Sequence, residues 1–193
     1  MSIQWDCMLK AVLVGEYGVG KTHFLMRYID DYFGPEPIFG TSGACMDFRT
    51  KTISYLNKSV RLQIWDVYNS HGCFNHGFGR MQRYYRNTDI IVLMFSLNDE
   101  KTFNAVESIN DDIEKNKDVL NKCHRKILVG TKLDLVNENS CIDKIKIYTF
   151  CEKYNYRYVE TSAKSDIGIK LIFDQTVNNV LTDKIFSESK LQK

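Results

Sequence analysis

Gly15-Glu16-Tyr17-Gly18-Val19-Gly20-Lys21-Thr22 is the stretch that decides how this chain folds. It fits the pattern G-x-x-x-x-G-K-[ST] at every fixed position, and its flanks are the ones such a loop requires. Ahead of it, Leu9, Ala11, Val12, Leu13 and Val14 form an apolar run that reads as a buried strand, and residues 22–31 behind it read as a helix. Glycines free the backbone to wrap an anionic chain so that successive N–H groups point inward. Lys21 adds a positive charge for the outer phosphates, and the Thr22 hydroxyl is suited to ligate Mg2+. Gly15, Gly18, Val19, Gly20, Lys21, Thr22 and His23 are therefore candidate binding residues, and the expected ligand is a nucleoside phosphate.

The rest of the chain bounds what can surround this loop. At 193 residues and 44% hydrophobic content there is material for one complete α/β core, and too little for two. Twenty-six Lys plus Arg against 24 Asp plus Glu leaves a net charge of +2, which favours neither nucleic acid nor a strongly anionic membrane as the main partner. The six cysteines, Cys7, Cys45, Cys73, Cys123, Cys141 and Cys151, show no C-x-x-C spacing, and no N-terminal segment resembles a signal peptide. Free thiols in the cytosol are the expectation. The compact apolar run at 90–95 falls far short of the ~18 residues a membrane span needs and reads as a central strand.

Strand and helix patterns alternate to the end, the sequence form of a mostly parallel sheet covered by helices on both faces. Residues 48–56 and 60–65 are β-rich runs joined through Asn57-Lys58, which predicts a hairpin and so one antiparallel pair. A helix carrying Phe103, Val106, Ile109 and Ile113 comes next, then a strand at 126–129, a helix at 145–154 and a short strand at 156–159. The last helix sets Ile169, Ile172, Phe173, Val177 and Val180 on one face, and the polar residues 187–193 are expected to fray. Residues 34–44 and 69–79 lack periodicity and are expected to be mobile loops.

Two further signals concern the base. The strand at 126–129 runs into Gly130-Thr131-Lys132-Leu133-Asp134, which resembles the N/T-K-x-D guanine motif of GTP-binding proteins. A carboxylate suits that place, since guanine presents N1–H and an exocyclic N2 amino group for Asp134 to accept from, a donor pair adenine lacks. Glu160-Thr161-Ser162-Ala163-Lys164 stands again at a strand end. The phosphate loop and both these loops come after successive strands, where open α/β sheets bind ligands.

Taken together, these motifs resemble the small GTPases of the Ras superfamily over residues 8–181, and most nearly the Rab branch. Arg61-Leu62-Gln63-Ile64-Trp65-Asp66 is similar to the Rab strand entering the second switch, Tyr84-Tyr85-Arg86 to a segment beyond it, and Asp47-Phe48 to the end of the effector motif. The resemblance implies a single P-loop G-domain over 8–182, a six-stranded mostly parallel sheet with one antiparallel strand, and a polar tail at 183–193. It implies GTP or GDP held with Mg2+, Thr131, Lys132 and Asp134 on guanine, and Ser162, Ala163 and Lys164 in a loop that brings a backbone N–H to the guanine oxygen. Phe33 would stack on the base or, as a core residue, end the first helix; Asp66 would hold the metal through water or cap a turn. Implied partners are effectors and regulators meeting the switch loops.

The pattern also breaks. The second switch of the family reads Asp-x-x-Gly followed by a Gln that orients water, whereas here the run is Asp66-Val67-Tyr68-Asn69-Ser70-His71-Gly72-Cys73. With an insertion Gly72 could take the glycine role, and Cys73 would come after it; His71 and His76 are surface residues or substitutes that position water. No catalytic residue is assigned. In the first switch, counting from Phe33 puts Gly40 where the family has a metal-binding Thr, so Thr41, or Ser42, would serve with a small shift. Tyr17 is bulky where the family has a small residue, and either crowds the catalytic water or points to solvent. The chain ends Lys190-Leu191-Gln192-Lys193 and its last cysteine is Cys151, so no prenylation signal is expected and membrane contact would be indirect. The expectation is a cytoplasmic protein, peripheral on endomembranes, acting as a switch in vesicle trafficking with slow or partner-dependent hydrolysis; the alternative is a non-cycling scaffold that keeps guanine nucleotide as a structural cofactor.

Overall fold

The computed structural model describes residues 5–35, 46–55, 57–67, 81–120, 125–137 and 142–191. Six strands, β1 (Cys7–Gly15), β2 (Met46–Tyr55), β3 (Lys58–Val67), β4 (Ile90–Ser96), β5 (Arg125–Thr131) and β6 (Arg157–Glu160), form one sheet in the order β2-β3-β1-β4-β5-β6. Only β2 runs antiparallel to its neighbour. The helices are α1 (Lys21–Asp30), α2 (Met81–Tyr85), α3 (Glu100–Asn104), α4 (Val106–Lys115), α5 (Lys144–Tyr154) and α6 (Ile169–Leu191). The six-stranded sheet with one antiparallel strand is the architecture expected from the sequence.

Side chains of a strand alternate between faces, so the buried strands feed two separate cores. Leu9, Ala11 and Leu13 of β1, with Ile90, Val92 and Met94 of β4, meet Phe24, Leu25 and Tyr28 of α1 and Ile169, Ile172, Phe173 and Val177 of α6. Val12, Val14, Ile91, Leu93 and Phe95 face the other way, onto Val106 and Ile113 of α4 and Ile147, Phe150 and Cys151 of α5. Burial pushes the Cys151 thiol up to about 11, which suits a packing residue rather than a nucleophile.

Details depart from the sequence reading for physical reasons. The hairpin turns through Asn57, whose φ of 60° is the left-handed geometry Asn tolerates, and Lys58 already pairs with Tyr55 as the first residue of β3. The single helix expected through Phe103 and Ile113 is two, α3 and α4, with Ala105 between them. Asp99 caps α3 by accepting from the Lys101 N–H, a local start that apolar spacing does not reveal. The last helix continues to Leu191, well into the expected polar tail, because no Gly or Pro stops it. Its last buried side chain among those described is Leu181. The expected mobile loops at 34–44 and 69–79 lie, except for Gly34 and Pro35, outside the described residues.

On the outer strand β2, Arg49 pairs with Asp30 of α1, and the Lys51 Nζ donates to the Tyr28 carbonyl and sits 4.3 Å over the Tyr28 ring. Both side chains project from the face of β2 that also directs Ile53 against the first core. Among the described residues, no helix is long and apolar enough to cross a membrane.

Phe173 joins the two helices of the first core: it is wholly buried, with ring centroids 4.2 Å from Tyr28 and 5.8 Å from Phe24. Phe173→Ala should lower unfolding stability by about 3–5 kcal/mol in urea titrations, the range for emptying a closely packed aromatic site. A loss below about 1 kcal/mol would mean that α6 repacks freely over the sheet.

Candidate nucleotide-binding site

Parallel strands deliver their carboxyl ends to one edge of the sheet. The register sets Leu13 beside Asp66, Gly15 beside Met94, Ser96 beside Thr131 and Gly130 beside Glu160. Beyond that edge lies a cleft of about 410 Å³, walled by residues 17–24 of the phosphate loop and α1, by Phe33, by Thr131, Lys132, Asp134 and Leu135, and by Thr161, Ala163 and Lys164.

At one end the loop bends around its own lysine. The Lys21 side chain is buried and its Nζ donates to the carbonyls of Gly15 (2.8 Å) and Glu16 (2.9 Å). Gly18 and Gly20 have φ of 77° and 95°, a region that disfavours side chains, and Gly20 opens α1 with no side-chain cap. The first-turn N–H groups of α1 thus start at the cleft, where an anion is favoured. Thr22 Oγ1 donates to Asp66 Oδ2 at 2.8 Å, and Asp66 is fully buried at the end of β3. A hydroxyl and a carboxylate side by side fit Mg2+, which keeps several waters and takes few protein ligands beyond the phosphates. Among the described residues there is no cluster of three or more His, Cys, Asp or Glu side chains that would make a cage of protein ligands.

At the other end the side chains suit a base. Asp134 is exposed in a short 3-10 turn (Leu133–Leu135), and its Oδ1 accepts from Ser162 Oγ at 2.6 Å. Ser162 is fully buried and its Oγ in turn accepts from the Ser165 N–H at 3.0 Å. The Leu133 N–H donates to the Thr161 carbonyl at 3.0 Å, lashing the two base loops together. Phe33 is 42% exposed on the cleft wall, its ring 5.1 Å from His23, so it is not the core residue that could have ended the helix. His23 Nε2 lies 3.1 Å from the Gly34 carbonyl.

The two ends are joined through Thr131. Its hydroxyl is 2.6 Å from the Val19 carbonyl in the phosphate loop and 2.9 Å from the Phe95 carbonyl of β4, so one buried proton serves both. Lys132 sits next in the left-handed region, with its stem reaching over the phosphate loop, where the Lys132 Cε would lie 3.9 Å from a β-carbon on Gly20.

Most residues that the sequence marks as candidates meet here. Gly15, Ser162 and Asp66 stand behind the cleft wall: a β-carbon on Gly15 would come within 2.3 Å of the Met94 carbonyl, and Ser162 acts on Asp134 instead of facing the cleft. Tyr17 lines the mouth of the cleft and is 78% exposed. Thr41, with Ser42, lies outside the described residues, as do Ser70, His71, Gly72, Cys73 and His76. Leu135 and Thr161 line the cleft without being candidates from sequence, although each adjoins a residue that is. Arg27, which reaches the Ala163 carbonyl from α1, belongs to no motif at all.

A glycine-wrapped lysine, a Thr–Asp pair and a carboxylate-bearing base loop on a mostly parallel sheet define a P-loop nucleotide-binding domain. Residues 10–182 match the Ras family. The GTP-binding protein yptV2 of Volvox carteri is 33% identical over 92% of this chain and 77% of its own length. The Ras-related protein Rab-3C of Bos taurus is 34% identical over 96% and 76%, and Rab-18-B of Danio rerio 31% over 95% and 84%. The chain belongs to the Ras family and is a Rab-like small GTPase.

Thr131→Val keeps the volume but removes the shared proton, leaving the Val19 and Phe95 carbonyls without it. The expected loss is about 1–3 kcal/mol of unfolding stability by urea titration, with Thr131→Ser close to the parent. Equal stability of the Val variant would show that the bridge contributes nothing.

Proposed function

We propose that this chain binds GTP and GDP with Mg2+ and works as a switch in vesicle trafficking, with GTP hydrolysis that is slow or depends on a partner. The observation that carries the reading is the Asp134 carboxylate, presented to the cleft and steadied by Ser162, at the opposite end from the Lys21 loop. Asp134 would accept from guanine N1–H and N2, and the backbone of the 162–164 loop would donate to the 6-oxo group. Phe33 would cover the base from the α1 side, while Lys21 and the first-turn amides of α1 hold the β- and γ-phosphates. Thr22 and Asp66 would hold Mg2+, which when bound spreads the negative charge of the outer phosphates. The names and family of the relatives support the GTP-binding part of this reading.

Partner recognition is supported by Phe48 and Trp65, stacked at 5.1 Å on β2 and β3, with Phe48 half exposed beside the end of the first switch. Effectors and regulators would meet that face, on a cytoplasmic protein peripheral on endomembranes.

Slow hydrolysis is expected from the second switch. Asn69 stands where close approach to the γ-phosphate calls for glycine, and Ser70 or Cys73 stands where an amide side chain would orient water. Neither side chain offers donor and acceptor as Gln does. In a single-turnover assay the GTP-loaded protein should hydrolyse at or below ~10⁻⁴ per second. Faster turnover without a partner would overturn this reading of the switch. No turnover even with cell extract as a source of activating protein would favour the scaffold reading, in which nucleotide is a permanent structural element.

Base recognition is tested by Asp134→Asn. Removing one acceptor and adding a donor should weaken GDP binding about 10–100-fold and strengthen binding of xanthosine diphosphate, whose C2 carbonyl replaces the amino group. Equal affinity of the parent protein for ADP and GDP in a competition titration would sink the assignment.

A further inference from the structure

Arg27 lies in the last turn of α1, outside every motif in the sequence, and its guanidinium ties the end of its own helix to the far base loop. Its Nε donates to the Ala163 carbonyl at 2.7 Å, across 136 positions of sequence. Its Nη1 donates to the Asp31 carbonyl at 2.9 Å and lies 3.1 Å from Asp31 Oδ1, at the left-handed residue that ends α1. The Arg27 side chain is 15% exposed and its bond to Ala163 is partly buried, while the Asp31 end of the fork faces solvent.

The carbonyl of Ala163 and the N–H of Lys164 are opposite ends of one planar trans peptide. Holding the first therefore fixes the plane and directs the second away from α1. Ala163 and Lys164 both line the base end of the cleft, and the neighbouring Ser162 holds Asp134. The helix that supplies Arg27 also begins with Lys21 and Thr22 at the phosphate end. Thr131 connects the same two ends through β5; Arg27 connects them through α1 and on the other loop.

We propose that Arg27 is a positioning residue for base recognition: by gripping the Ala163 carbonyl it sets the Ala163–Lys164 peptide so that its amide is presented to the 6-oxo edge of guanine, and so lengthens the residence of the nucleotide. This inference rests on the reading of the cleft as a guanine-nucleotide site. Arg27 then differs from residues that merely hold the core together, because its effect falls on one edge of one ligand.

The test uses the full chain loaded with Mg2+ and either GDP or 2-aminopurine riboside diphosphate, which lacks the 6-oxo group and with it the N1–H, a loss common to parent and variants, and tracks dissociation during a chase with excess GDP. Arg27→Met should speed GDP release about tenfold and leave release of the analogue unchanged, so that the ratio of the two rates narrows about tenfold. Arg27→Lys keeps the stem and charge but cannot reach Ala163 and Asp31 together, and should narrow the ratio less, in the same direction. Equal acceleration of both nucleotides would mark Arg27 as a scaffold residue only and overturn the proposal, as would unchanged rates in both variants. If Arg27→Met does not fold, the ratio in Arg27→Lys decides by the same criterion. A parent protein that does not prefer GDP to ADP would sink the guanine reading itself, an outcome visible before any variant is compared.

Discussion

The closeness of β1 to β4 at Gly15 is the constraint on which the site depends. A β-carbon there would strike the Met94 carbonyl at 2.3 Å, so the central strand can end beside its neighbour only without a side chain. The chain then leaves the sheet at its carboxyl edge and turns at once, through Gly18 and Gly20, into α1. With the turn so short, the first residue of the helix is the lysine itself, and its ammonium falls back onto the carbonyls of Gly15 and Glu16. A longer exit would carry the ammonium away from those carbonyls and the amides of α1 away from the crevice at the sheet edge.

The site is thereby built before any ligand arrives. Thr131 fixes the phosphate loop to β4 and β5, the Leu133 amide fixes one base loop to the other, and Ser162 fixes the carboxylate of Asp134. Each of these bonds is made by a backbone group or a short side chain, whose ordering sacrifices little rotamer freedom. A ligand meeting such a cleft loses its own freedom of movement but does not have to organise the walls, which is how modest contact surfaces reach high affinity.

Much of this architecture is legible in the sequence because it is local. Apolar runs such as residues 9–14 and 90–95 announce buried strands, and the fixed positions of the phosphate loop announce its chemistry. Legibility fails where an outcome depends on partners far along the chain or on a cap that apolar spacing does not register. The helix through Phe103 and Ile113 looks continuous from its apolar spacing, but Asp99 starts a separate short helix. Gly15 and Ser162 belong to the right motifs, yet they act from behind the wall, a distinction set by how close Met94 and Asp134 come. Arg27 looks like any polar residue on a helix, since nothing near it in sequence names Ala163.

The outer strand β2 has a consequence for life in a crowded solution. Ten residues long, it has no neighbouring strand on its outer side among the described residues, and such a row of backbone donors and acceptors invites pairing with another copy of the chain. Arg49 and Lys51 answer that risk: they sit on the helix-facing side of the strand, tied to Asp30 and to the Tyr28 carbonyl. A second strand docking edge to edge, and continuing the helix layer beyond α1, would have to bury those two positive charges against apolar side chains. The same ties that hold β2 to α1 therefore discourage the sheet from growing into an aggregate.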